Sequence, residues 1–215
     1  MKNKFLKVTF ACFAIMSSNS HATLIDFSGL SSSQGNTSYT EDGFNFNALS
    51  GDFSTYDNAN TPNSGFGPAL IVDHAAQASV SLTKADGGNF DLLSFWGAEG
   101  RNNDTGYFAT YGSTHIDITG YFGTGGSITW TTNLDLQALN NSSTDFQFFS
   151  LSGFTALTRV TFTGGNESTA FDGFSFNLDQ INLSATQVQV PEPTTLVIFA
   201  LGLIGLASRR IKKHS

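Results

Sequence analysis

Apolar residues are spaced in three different ways along this chain. Near the start, Val8 to Met16 is a short and nearly unbroken apolar run. Near the end, Thr194 to Ser208 is uncharged and mostly apolar. Between them apolar positions recur every second residue in many short runs, the period of a strand with one buried face. Leu24-Ile25-Asp26-Phe27 opens the series, followed by Phe44 to Phe46, Phe53 to Tyr56, Ala69 to Val72, and Val80 with Leu82. Phe90 to Trp96 is the most continuous run and reads as a strand buried on both faces. Tyr107 to Tyr111, Ile116 to Phe122, Ile128 to Thr132, Phe146 to Leu151, Leu157 to Phe162 and Phe171 to Leu183 complete the set. No stretch of this middle region carries a helical stripe.

The breaks between runs are made of turn residues: Asp86-Gly87-Gly88-Asn89, Asn102-Asn103-Asp104-Thr105-Gly106, Gly123-Thr124-Gly125-Gly126 and Gly164-Gly165-Asn166. Short strands about ten residues apart, rich in Phe and Thr, predict an all-β fold built as a two-sheet sandwich. The spacing divides the chain into residues 1–22, a β-sandwich domain at 23–186, and a tail at 187–215.

The two ends carry different chemistry from the middle. Lys2, Lys4 and Lys7 precede the first apolar run, and Ser20-His21-Ala22 offers small residues on either side of His21. That order predicts a secretory signal peptide cut by signal peptidase after Ala22, so that the exported chain begins at Thr23. Cys12, the only cysteine, lies inside the apolar run, so the exported form has no thiol and no disulfide. At the other end Pro191-Glu192-Pro193 precedes Thr194 to Ser208, and Arg209, Arg210, Lys212 and Lys213 follow. Fifteen residues of helix reach roughly 22 Å against a bilayer core of about 30 Å. Such a span is short, and needs the cationic flank to snorkel on the cytoplasmic side.

This order of Pro-Glu-Pro, short apolar helix and Arg-Arg resembles the PEP-CTERM sorting signal of exported Gram-negative proteins, from Val190 to about Lys213. The resemblance implies that an exosortase, a membrane-embedded cysteine-dependent enzyme, recognises Pro191, Glu192 and Pro193. It also implies that helix 194–208, with Arg209 and Arg210, holds the substrate in the membrane until processing.

Charge takes a different form once the ends are set aside. The whole chain carries −7, but seven of its ten cations belong to the terminal signals. Thr23 to Gln189 holds sixteen acids against Lys84, Arg101 and Arg159, a balance of −13. A domain of that sign repels phosphate backbones, which excludes nucleic acid as a partner. It suits solubility outside the cell, or a divalent cation.

The opening Ile25-Asp26-Phe27 and the closing Phe176-Asn177-Leu178-Asp179-Gln180-Ile181 resemble the jelly-roll domains of secreted carbohydrate-binding modules, over about Leu24 to Leu183. That resemblance implies neighbouring first and last strands, with structural Ca2+ between Asp26 and Asp179. Calcium asks for six to eight oxygens, so these two carboxylates would need help from carbonyls or Asn177. Trp130, flanked by threonines, and Tyr121 are the candidate sugar platforms, whereas Trp96 is expected in the core.

Little points to catalysis. His74 and His115 lie in separate segments without ligand spacing, no Gly-x-Ser-x-Gly elbow occurs, and Gly123 to Ser127 lacks the lysine of a phosphate loop. Glu41, Glu99 and Glu167 take no assigned acid role. The expectation is an exported, non-enzymatic surface or matrix protein, structural or adhesive and associated with exopolysaccharide. The alternatives are a lectin-like carbohydrate-binding module and a secreted glycoside hydrolase.

Overall fold

The computed structural model describes residues 22–30, 35–55, 68–73, 75, 77–100, 112–135, 146–165 and 175–185. Every element in them is a strand: β1 Ala22–Ile25, β2 Ser38–Glu41, β3 Phe44–Ser50, β4 Asp52–Ser54, β5 Leu70–Asp73, β6 Ser79–Lys84, β7 Phe90–Glu99, β8 His115–Phe122, β9 Ser127–Asn133, β10 Gln147–Ser150, β11 Leu157–Gly165 and β12 Phe176–Ala185. The all-β expectation holds. The expected strand at Tyr107 to Tyr111, the start of the run from Phe171, the loop Asn102 to Gly106, and both terminal signals lie outside the described residues.

Strand pairing resolves into two layers. One runs β2-β3-β6-β11-β8-β9. The other runs β10-β7-β12-β5-β4, with β1 beside β5 on the same side of β12. All these ladders are antiparallel. Among the described residues the layers are linked by the pair Leu157 opposite Phe90, and by a bridge from Asn36, ahead of β2, to Phe53 of β4. Neighbours are mostly not consecutive in sequence, as in a jelly roll.

Phenylalanine holds the layers together. Phe44 of β3 meets Phe90 of β7 edge to face at 5.5 Å, and Phe95 of β7 meets Phe162 of β11 at 5.4 Å. Eight Phe are among the largest fully buried side chains, so this fold rests on a hydrophobic core rich in phenylalanine instead of disulfides.

Three local expectations need correcting. β7 is buried on both faces only in its second half, where Phe95, Ala98 and Glu99 are all buried; in its first half Phe90 and Leu92 face the core, but Leu93 stands 36% exposed at a break in the register with β12. Trp96 lies at the edge of a second, smaller core cluster of Ala69, Ala98 and Phe146. It is only partly buried, and packs against Phe148 at 5.5 Å. A strand absent from the expectation, β2, is joined to β3 by Asp42-Gly43, both in the left-handed region (φ 47° and 79°). That is the two-residue turn whose twist matches a hairpin, and Asp-Gly is its favoured sequence. Tyr39-Thr40-Glu41 ahead of it is half polar, which hid the strand from a reading based on apolar spacing.

Candidate functional site

Three places on the sandwich bring together side chains with something to offer. The first is the corner where β1 leaves β12. β1 does pair with β12, ending at Ile25 opposite Ile181. Just beyond, Phe27 and Gln180 both take left-handed backbone (φ 56° and 46°), strained for residues with a side chain. Glu41 of β2 clasps this corner. Its carboxylate accepts the Phe27 amide at 3.1 Å, the Tyr39 hydroxyl at 3.0 Å and, more loosely, the Asp26 amide at 3.4 Å. Burial, and then the hydrogen bond shared with Asp26, raise the Glu41 carboxyl above its ordinary value. Asp26 is shifted the other way, lowered chiefly by the Ser28 amide it accepts at 2.9 Å. Burial and Glu41 push the Tyr39 phenol up to about 12, so it stays a donor.

Asp179, by contrast, is fully buried and its Oδ1 accepts the Gln180 amide at 2.7 Å. Among the described residues no three His, Cys, Asp or Glu form a metal-holding group. The partner that Asp26 gains is Glu41. No apolar spacing marks Glu41; the signal available was its place just before the Asp42-Gly43 turn.

The second place is the flank formed by β9 and β10, the outer strands of the two layers on the same side of the sandwich. Trp130 of β9 lies edge to face with Phe149 of β10 at 6.0 Å, and Phe149 contacts Phe95 at 5.3 Å. Trp130 is 37% exposed and Phe148 is 55% exposed. Tyr121 does not join them. Trp130 pairs with Ile118, a core-facing residue, whereas Tyr121 is an odd number of positions from Ile118 and turns to the other face. The Arg159 guanidinium sits 4.0 Å over the Tyr121 ring, which occupies one of its faces. Trp130 and Tyr121 therefore do not form one platform. The alternation Ile116, Ile118, Ile128, Trp130 already carried that parity.

The third place is polar. His115 lies 3.8 Å from Asp117, which also accepts the Thr131 hydroxyl. Glu99 is buried, and the Asn177 amide donates to its backbone carbonyl at 2.8 Å. Neither arrangement supplies an activated nucleophile within the described residues. His74, Glu167, Pro191, Glu192, Pro193, Arg209 and Arg210 lie outside those residues. Ala22 opens β1 opposite Ser184, next to the expected cleavage point.

Residues 189–212 match the PEP-CTERM protein-sorting motif. No curated protein matches the chain. Among solved structures, a DUF4465 family protein from Bacteroides caccae is similar at 17% identity, with 76% of this chain and 98% of that chain covered and a TM-score of 0.45. A family 32 carbohydrate-binding module from C. perfringens NanJ, solved with galactose, is similar at 11% identity over 66% of this chain and 97% of that chain, TM-score 0.39. A cleaved adhesin domain of Lys-gingipain from Porphyromonas gingivalis is similar at 12% identity over 75% and 97%, TM-score 0.41. Likenesses this distant say nothing about a ligand. The motif marks an exported, surface-sorted protein of the kind that exosortase processes.

Proposed function

We propose that this chain is a non-catalytic β-sandwich delivered to the surface or extracellular matrix of a Gram-negative bacterium, where it is structural or adhesive and associates with exopolysaccharide. The observation that carries the reading is the sorting motif at 189–212. In this reading residues 1–22 are removed after Ala22, residues 23–186 travel as the sandwich, and residues 187–215 hold the precursor in the membrane through helix 194–208. Pro191, Glu192 and Pro193 are what exosortase recognises, and Arg209 and Arg210 anchor the cytoplasmic side. The sandwich suits that destination. It carries no cysteine, rests on an aromatic core, and bears an acid-rich charge that favours solubility.

The test is fractionation of cells producing the full chain with Pro191→Ala, Glu192→Ala and Pro193→Ala together. The expected result is a precursor retained in the membrane. Normal release of that variant refutes the sorting role. A carbohydrate-binding module is the second reading, favoured by the exposure of Trp130 beside Phe149. Selective binding on a glycan array, lost with Trp130→Ala, would establish it in place of the structural role.

A further inference from the structure

Among the described residues, one long strand edge is left open. Among the described residues β9 pairs with β8 alone, over Ser127 to Asn133, in an unbroken register. None of its backbone groups bonds to anything else there. Alternate residues of β9 therefore turn their N–H and C=O outward, ready to template another strand. Other outer strands are blunted. β1, β2 and β10 have four residues and β4 has three; β2 carries Glu41, and β4 carries Asp52 and is bridged by Asn36. β9 has seven residues, Ser-Ile-Thr-Trp-Thr-Thr-Asn, with no charge, no proline and no bulge. Within β9 itself there is no charge, proline, bulge or shortness to discourage edge pairing, in a domain otherwise dense in acids.

We infer that β9 is a dimerisation edge, and that its occupant is β9 of a second copy of this chain. The side chains favour that occupant. Antiparallel pairing about a two-fold axis at Trp130 sets Trp130 against Trp130, Thr129 against Thr131, Ile128 against Thr132 and Ser127 against Asn133. Each pair is aromatic, β-branched or neutral polar, and none brings like charges together. This is the self-complementary surface that a two-fold interface requires. A more general partner would meet a −13 domain and would gain from being cationic, yet the edge offers no acid to such a partner. Joining two copies extends the layer ending in β9 across the dimer and covers Trp130 and its neighbour Phe149. The inference is independent of the sorting role.

Cross-linking of the full chain tests it. Directly opposite residues in an antiparallel pair have Cα atoms about 4.5–5.5 Å apart, within the reach of a disulfide. Trp130→Cys, in a Cys12→Ser background, should give a reducible dimer under mild oxidation. Its yield should be at least about fivefold above that of Leu49→Cys, an exposed position away from the edge. Chains carrying Thr129→Cys and Thr131→Cys, produced together with different tags, should link to each other in preference to themselves. That register readout also guards against a misfolded Trp130 variant. A Trp130→Cys yield no higher than that of Leu49→Cys, or an unmodified chain that sediments as a monomer at micromolar concentration, overturns the proposal. So does protection of Trp130 fluorescence by added polysaccharide with the chain still monomeric, since the edge then belongs to a glycan.

Discussion

Replacing Glu41 should loosen the corner that starts the sandwich. Its carboxylate takes two well-formed hydrogen bonds, from the Phe27 amide and the Tyr39 hydroxyl, and one long bond from the Asp26 amide. In Glu41→Ala all three donors lose their acceptor. A bond to a charged acceptor is worth about 1.5–3 kcal/mol when both partners are held, and less where water can replace it. The site is partly buried, so two good bonds come to roughly 2 kcal/mol. Phe27 at φ 56° then loses the acceptor that stabilises its amide in a strained backbone, adding up to about 1 kcal/mol. We expect a loss of about 2–3 kcal/mol for Glu41→Ala and about 1 kcal/mol for Glu41→Gln, which keeps one acceptor oxygen. Urea unfolding of the full chain in mild detergent, followed by the fluorescence of Trp96 and Trp130, measures both. The pH dependence is a second readout. The folded carboxyl of Glu41 is raised above 4.5, so the stability linked to its protonation is fully present below pH 4.5 and is lost as pH rises through the raised value. Asp26, lowered from 3.8, acts oppositely: its contribution is present above pH 3.8 and is lost as pH falls through its depressed value. Wild type should therefore gain on Glu41→Gln as pH falls from 7 towards 4.5. A Glu41→Ala loss under ~0.5 kcal/mol, or parallel pH curves for wild type and Glu41→Gln, refutes the clasp.

Phe95→Ala should cost about 3–5 kcal/mol, because its ring contacts Phe162 across the core and Phe149 on the neighbouring strand; the same unfolding assay reads it. Gly43→Val should cost about 1–2 kcal/mol, since a β-branched residue resists φ 79° even with open space around it; circular dichroism melts would show the drop. Millimolar calcium, followed by a chelator, should leave the melting temperature unchanged, because Asp179 is buried on the Gln180 amide and Asp26 is turned to Ser28. A calcium-dependent rise reversed by the chelator would support the Asp26 and Asp179 site.

Much of the sandwich was legible before any coordinates. Period-two alternation is a local property, so Ile116 to Phe122 and Ile128 to Thr132 could be placed as strands from their own residues, and Gly123 to Gly126 as the turn between them. β8, β9 and that turn follow this reading, with the Gly125 amide bonded to the Phe122 carbonyl at 3.0 Å. β2 escaped because an outer strand with one half-buried face has weak apolar contrast. The Asp26 and Asp179 pairing was half legible: the adjacency of first and last strands is real, but the bulge at Gln180 lies outside any alternation rule.

By itself the sequence determined the strand-forming character of the middle, its acid excess, and the chemistry of the two ends. Each is a matter of composition or of spacing between near neighbours, and needs no knowledge of what packs on what. Tertiary structure alone decided which strands became edges, because an edge is defined by the strand that is missing beside it. It alone brought Glu41 to Phe27, and set Trp130 beside Phe149. Those contacts join residues far apart along the chain, and they form only when two layers close on a shared aromatic core.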